Sequence, residues 1–295
     1  MVIKSSKGNY VVMKLLGEGG FGAVYKVFDQ KNPLNEYAMK VEKKLKSRRH
    51  SKLKMEIAIL KVVSQERKQS HFTVIINRGK KAKFYFLVME LVGSSLASLK
   101  MSLPTRMFSL STAMGASIQC LEACQDLHKY GFIHRDLKPA NYACGLGNRR
   151  RIVYILDFGI ARKILNSKGE LKPPREFVRF KGTIRFASIA CHRNAEMSPK
   201  DDCESWFYML LDFLAPRGST SNLREKGTSF LYLESDSYNY LGSTETASHF
   251  QELAFNGVKC KAELIEIMSY LDKLQYHDHV DYGHIYTILT TVSKL

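Results

Sequence analysis

An α+β chain folded as two lobes is the architecture that the 295-residue sequence predicts. Three observations lead to it. Short apolar and β-branched runs crowd the first third of the chain, with a single helical pattern among them. Helical periodicity dominates the remainder. The change falls at "LVGSSL", residues 91–96, which splits the chain into an N-terminal lobe over about 1–92 and a C-terminal lobe over about 93–295. With 45% hydrophobic residues, this length can give each lobe its own core.

Strands are expected at 10–16, 23–28, 36–41, 72–77 and 84–92, separated by glycine, asparagine, proline or charged turns. The one early helix spans roughly 50–63, with Leu53, Ile57, Leu60 and Val63 on one face. Beyond the join, Met114, Ile118, Leu121 and Cys124 recur at helical spacing. Residues 201–214 read as another helix. Leu264, Ile267, Met268 and Leu271 mark a third, and Ile285, Ile288, Leu289 and Val292 a fourth. The Gly/Ser/Thr-rich stretch 215–250 reads as loop. No repeat or low-complexity tract is present.

The N-terminal residues lack the apolar core of a signal peptide, and no apolar run approaches the ~20 residues of a membrane span. A soluble, cytoplasmic, monomeric protein is the expectation. Six cysteines, at 120, 124, 144, 191, 203 and 260, include no Cys-x-x-Cys pair. Cys120 and Cys124, one helical turn apart, fit core packing, and reduced thiols fit the cytosol. The balance of 45 Lys and Arg against 28 Asp and Glu leaves a net charge of +17, a field that attracts polyanions. The basic runs "KKLKSRRHSKLK", 43–54, and "RRR", 149–151, are not interleaved with aromatics, which argues against nucleic acid as partner and leaves nuclear import as a minor reading.

Four segments carry chemistry. "GEGGFGAV", 17–24, sits between two predicted strands, so its glycines form a hairpin whose backbone can close over phosphates. A dinucleotide fingerprint would need a helix there instead. "YAMK", 37–40, places Lys40 at the end of an apolar strand, where Glu56 of the early helix could meet it. "HRDLKPAN", 134–141, supplies Asp136 to accept a hydroxyl proton, Lys138 to neutralise phosphoryl charge and Asn141 as a neutral oxygen ligand for a metal. "YILDFG", 154–159, carries Asp157 off an apolar strand onto a glycine hinge, a position suited to Mg²⁺.

In this order and spacing the segments resemble the protein kinases, across essentially the whole chain. "LVMELVGSSLASL", 87–99, and "DDCESWFYML", 201–210, are similar to the casein kinase I group. "GELKPPR", 169–175, and "ASIACHRNAEM", 187–197, look closer still to its tau–tubulin kinase branch. The resemblance implies a two-lobed protein kinase fold with ATP and Mg²⁺ between the lobes. The nucleotide would meet Leu16, Gly17, Glu18, Gly19, Gly20, Phe21, Gly22, Val24, Ala38 and Lys40, with Met89 as gatekeeper and the backbone of Glu90 and Val92 on the adenine. Asp202 would anchor the catalytic loop, and Thr183 would sit beside Asp136. Lys138 is the serine/threonine-kinase form of that loop. Asn141 and Asp157 would hold the metal.

Two departures accompany the resemblance. The Ala-Pro-Glu of most kinases is replaced by "ASIAC", in which Ala190 stands where the group carries Asn, a change that could loosen the helix that follows. No Trp follows "LAPRG". Arg185, Arg135, Lys181, Arg162 and Arg179 gather cations near the peptide site, with no carboxylate between 177 and 195. They suggest a pocket for an acidic or phosphorylated residue of a protein substrate. A pseudokinase that only binds acidic partners is the alternative function. The presence of Lys40, Glu56, Asp136, Asn141 and Asp157 together favours catalysis. The closing Ser293-Lys294-Leu295 matches a peroxisomal address as a minor possibility.

Overall fold

The computed structural model describes residues 1–5, 7–19, 22–45, 51–63, 71–214 and 260–292. Alternating side chains in the first ninety residues build β1 (Val2–Ser5), β2 (Gly8–Gly19), β3 (Gly22–Asp29), β4 (Asn32–Lys43), β5 (Ile75–Lys80) and β6 (Phe84–Glu90). They form one antiparallel sheet in the order β1-β2-β3-β4-β6-β5. Ile3, Tyr10, Val27, Met39, Phe86 and Val88 interlock as its buried cluster. The glycine loop closes with Gly19 opposite Gly22. Gly22 has φ +148°, and a Cβ there would lie 2.0 Å from the Val41 carbonyl oxygen, so no other residue fits.

Helix α1 (Lys52–Val63) buries Leu53, Glu56, Ile59, Leu60 and Val63. Its inner face thus takes in Ile59, and Ile57 lies half-buried at the margin. The first turn has no acidic residue of its own. The Glu42 carboxylate of β4 supplies that charge, accepting from Ser51 Oγ at 2.6 Å, Lys52 N at 3.2 Å and Leu53 N at 2.8 Å.

Met1–Ser94 and Ala143–Ala161 make up one compact unit. The second segment enters it through β8 (Tyr142–Cys144) paired with β9 (Val153–Ile155). His71 ties β9 in place: its backbone oxygen accepts from Ile155 N at 2.9 Å, and its Nδ1 lies 2.7 Å from the Val153 oxygen. Phe72 stacks on Phe158 with centroids 5.8 Å apart. The strand expected at 72–77 therefore starts later, at 75–80, because Phe72 and the preceding His71 are engaged with β9 and Phe158.

Ser95–Tyr142 and Arg162–Leu295 make up the other unit. It contains α2 (Leu96–Ser102), α3 (Leu110–Lys129), β7 (Phe132–Ile133), β10 (Arg162–Lys163), α4 (Ile189–His192), α5 (Pro199–Leu214), α6 (Lys261–Lys273) and α7 (Tyr282–Val292). Ser95 and Ser109 cap α2 and α3 through their side-chain oxygens. Helix α5 is buried from Asp201 to Leu214. Trp206 sits at 0% exposure and donates to the Ser117 oxygen at 2.8 Å. Burying such a side chain contributes about 2–3 kcal/mol, provided its N–H is satisfied, as here. Cys120 and Cys124 are buried on α3, and none of the six cysteines is in a disulfide. Among the described residues no helix is long and apolar enough to cross a membrane. The expected loop 215–250 and the terminal Ser293-Lys294-Leu295 lie outside the described residues.

The short helix α4 starts at Ser188, whose hydroxyl accepts from Cys191 N at 3.2 Å. Glu204 of α5 accepts from Ile189 N at 2.8 Å and from Tyr208 Oη at 2.6 Å. Two side chains therefore close the N-terminus of α4, and Ala190 leaves it intact. Burial and the nearby Asp201 push the Glu204 carboxyl up to about 7. A carboxyl raised above its unfolded value favours the fold fully below about pH 4.5 and loses that contribution as pH rises through about 7. Replacing Glu204 with Gln should therefore flatten the fall in stability between pH 5 and pH 7. Thermal melts of both proteins at the two pH values check this, and an unchanged difference would contradict it.

Candidate active site

Within the first unit, Lys40 occupies β4 between Val24 of β3 and Leu87 of β6. Its ammonium lies 2.7 Å from Glu56 Oε2 and 2.8 Å from Asp157 Oδ1. Burial opposes charge on this lysine, yet the two carboxylates outweigh it and hold the ammonium well above the usual lysine range. Asp157 adopts φ +64°, a left-handed conformation that aspartate tolerates, and Gly159 N donates back to its Oδ1 at 3.2 Å.

The other residues expected at the nucleotide spread along the same sheet. Ala38 pairs in register with Met89, whose sulfur lies 3.5 Å from Thr73 Oγ1. A register shift between Leu15 and Gly17 makes Leu16 the extra residue opposite Val24, and Leu16 through Gly19 are exposed, Glu18 included. Glu90 N is taken by the Val74 oxygen at 3.0 Å, and the Glu90 carboxylate meets Arg149 at 3.2 Å. Val92 is half-buried. Gly20 and Phe21 lie outside the described residues.

Within the second unit three side chains close a ring. Thr183 Oγ1 donates to Asp136 Oδ1 at 2.7 Å. Lys138 Nζ donates to Asp136 Oδ2 at 2.9 Å and to Thr183 Oγ1 at 2.7 Å. Asn141 Nδ2 donates to the Asp136 backbone oxygen at 2.8 Å, which leaves its amide oxygen outside these bonds. The Asp136 carboxylate is therefore held in the position of an acceptor for a hydroxyl, with a cation beside it.

Asp202, fully buried at the start of α5, sets this loop. Its carboxylate accepts from His134 N at 2.6 Å, from Arg135 N at 2.9 Å and from His128 Nε2 at 2.9 Å. Burial works against charge here, but these donors hold the carboxyl below the ordinary aspartate value. His128 is fixed in turn by the Tyr282 hydroxyl. Arg135 takes a left-handed φ of +69°. Gly182 fits against it: a Cβ at Gly182 would lie 2.7 Å from the Arg135 oxygen. That close approach, at φ +121°, lets the neighbouring Thr183 meet Asp136.

Of the expected cations Arg179 is exposed, and the other four separate into two groups. Arg175 holds Glu196 through two nitrogens, Nη2 at 3.0 Å, and Arg162 reaches the same carboxylate at 3.3 Å. Burial and the neighbouring Arg162 push buried Arg135 down to about 10. Lys181 is lowered by burial and by Arg135, Arg175 and Arg162. Arg162, Arg175 and Lys181 thus share Glu196, and Arg135 lies under the influence of both Glu196 and Asp202. Arg185 stands apart, paired with Asp212, which also binds Lys100 at 2.8 Å. The sequence reading missed Glu196 and Asp212 because they lie outside the carboxylate-free stretch in the chain. It also missed His128 and Tyr282, whose only signal was a polar residue amid an apolar helical period.

The protein kinase domain model matches residues 10–228. A putative serine/threonine-protein kinase of Caenorhabditis elegans is 35% identical over 264 residues, 88% of this chain and 74% of that protein. A probable serine/threonine-protein kinase of Dictyostelium discoideum is 31% identical over 286 residues, 96% of this chain and 53% of that protein. A putative casein kinase I of Caenorhabditis elegans is 33% identical over 195 residues, 66% of this chain and 56% of that protein. The chain thus spans little more than half the length of the latter two. With a β-rich lobe carrying one main helix and a mostly helical lobe, the chain has the two-lobed kinase fold and belongs to the protein kinase domain family.

Proposed function

We propose that the chain is an ATP-dependent serine/threonine kinase of casein kinase I type, acting on acidic or phosphate-bearing protein substrates. The observation that carries this reading is the ring of Asp136, Lys138 and Thr183, which holds a carboxylate against a hydroxyl. In the reaction the substrate hydroxyl oxygen bonds to the γ-phosphorus while the bond to the ADP oxygen breaks, and the hydroxyl proton passes to Asp136. Lys138 offsets charge on the transferred group. Lys40, kept cationic by Glu56, serves the α- and β-phosphates.

Asp157 and Asn141 are hard oxygen donors of the kind Mg²⁺ takes, and the Asn141 amide has its NH₂ committed to Asp136, so that its oxygen is the end available to an ion. Bound Mg²⁺ neutralises phosphate charge. Six cysteines outside any disulfide suit a reducing compartment, the cytoplasm.

Transfer of labelled phosphate from ATP to casein tests the reading. Asp136→Asn should lower kcat by about 10²–10⁴-fold, and Asp157→Asn should abolish Mg²⁺-dependent transfer. Labelling unchanged in either variant, or nucleotide binding without any transfer by the parent chain, would defeat it.

The acidic preference is supported by Arg162, Arg175 and Lys181, three cations gathered around the Glu196 carboxylate. Lys181→Glu should raise KM for a phosphate-bearing peptide about tenfold or more, and change KM for its neutral counterpart little. Arg185→Glu, which opposes Asp212 instead, should affect both peptides alike. Steady-state kinetics on the two peptides distinguish these outcomes.

A further inference from the structure

The charge of this chain is distributed unevenly between its two units. Met1–Ser94 and Ala143–Ala161 carry 23 Lys and Arg against 8 Asp and Glu, so that +15 of the net +17 belongs to the first unit. Neither the Lys40 group nor the catalytic loop accounts for this excess. Much of it gathers where β4, β6 and β5 end together. Lys43 stands opposite Phe84, Lys80 opposite Tyr85, and Lys44 N bonds the Lys83 oxygen at 2.9 Å. Lys43, Lys54, Arg78, Lys80 and Lys83 are exposed there. The nearest acidic side chain of β4, Glu42, is buried and committed to the start of α1.

We propose that this end of the sheet is a docking surface for extended acidic segments of protein partners, separate from the catalytic loop. Three observations favour a peptide. First, the edge strand β5 and the residue before it expose alternate side chains, Val74, Ile76, Arg78 and Lys80. Val74 is 48% exposed and Ile76 37%. The row is apolar at one end and cationic at the other, which matches an extended segment with apolar residues leading into carboxylates.

Second, single-stranded nucleic acid stacks its bases on open rings, and in this patch Phe84 packs against the sheet's buried cluster while the Tyr85 ring is covered by lysines. The ammonium of Lys44 lies 5.0 Å from the Tyr85 centroid and that of Lys54 5.8 Å. Third, the same contacts hold the cations in place: Lys44 also bonds the Lys81 and Ala82 carbonyl oxygens, the latter at 3.2 Å. Recognition is led by side chains, because Arg78 N is already taken by Asn77 Oδ1 at 2.8 Å and the strand is irregular between Ile75 and Asn77.

The surface deepens the reading of acidic substrates and rests on it for its biological purpose, but it is tested without catalysis. A fluorescein-labelled peptide with two leucines leading into six glutamates is titrated against the full chain, with no nucleotide present, by fluorescence anisotropy. The triple variant K43E/K80E/K83E should weaken binding by about tenfold or more, and Ile76→Ser by a few-fold. Peptide binding unchanged in the triple variant overturns the proposal. So does an oligothymidine of equal length that binds the parent more tightly than the peptide does. Because no phosphoryl transfer is measured, an inactive chain that still shows the charge-dependent loss upholds the surface while the kinase reading fails.

Discussion

One buried carboxylate holds the second unit's chemistry in shape. Asp202 lies at the start of α5 and spends its oxygens on the amides of His134 and Arg135 and on the His128 ring. An unpaired carboxylate at that depth would cost several kcal/mol. Three donors remove the cost and convert it into position. With those two amides fixed, Arg135 can sustain its left-handed backbone, and Asp136 follows one residue later with a defined direction. Gly182 then packs against the Arg135 oxygen and delivers Thr183. The ring around Asp136 is the last link of a chain of constraints that begins at Asp202.

The Lys40 group in the first unit has the same logic with the signs reversed. A buried ammonium is stabilised by two carboxylates that are far apart in sequence, Glu56 on α1 and Asp157 beyond β9. Glu56 reaches it only because Glu42 starts α1 at the right place on β4. Asp157 reaches it because His71 and Phe72 fasten the strand that carries it. Truncating Glu42 or His71 would therefore disturb a site that neither residue touches.

Much of this was legible in the sequence where a residue type is demanded by local chemistry. Asp136, Lys138, Asn141 and Asp157 announce themselves through short motifs, and the helices through their apolar period. What the sequence hid was tertiary substitution. The charge at the start of α1 comes from β4, not from the helix's own first turn. The strand expected at 72–77 shifted because His71 and Phe72 found partners on a distant segment. The carboxylates that face the basic stretch 177–195 lie just outside it, so a count along the chain could not pair them with it.

That last point explains how the chain dispenses with Ala-Pro-Glu. The stretch from Arg175 to Arg193 carries its charge almost unopposed, while Glu196, Asp201, Asp202, Glu204 and Asp212 follow within a few turns. In the fold the two segments answer each other: Glu196 takes Arg175 and Arg162, Glu204 takes Ile189 N, and Asp212 takes Arg185. Glu204 thus serves the start of α4 from the neighbouring helix. Its carboxyl is raised towards neutrality by burial and by the nearby Asp201, so it can hold the amide without imposing a full buried charge. The second unit, with 22 basic and 20 acidic residues, is nearly balanced, whereas the first keeps its excess. Near-balance over the second unit as a whole lets each of these carboxylates find a donor even though the cations around Glu196 stay in local excess, whereas the first unit's excess has no such partners in its own sequence.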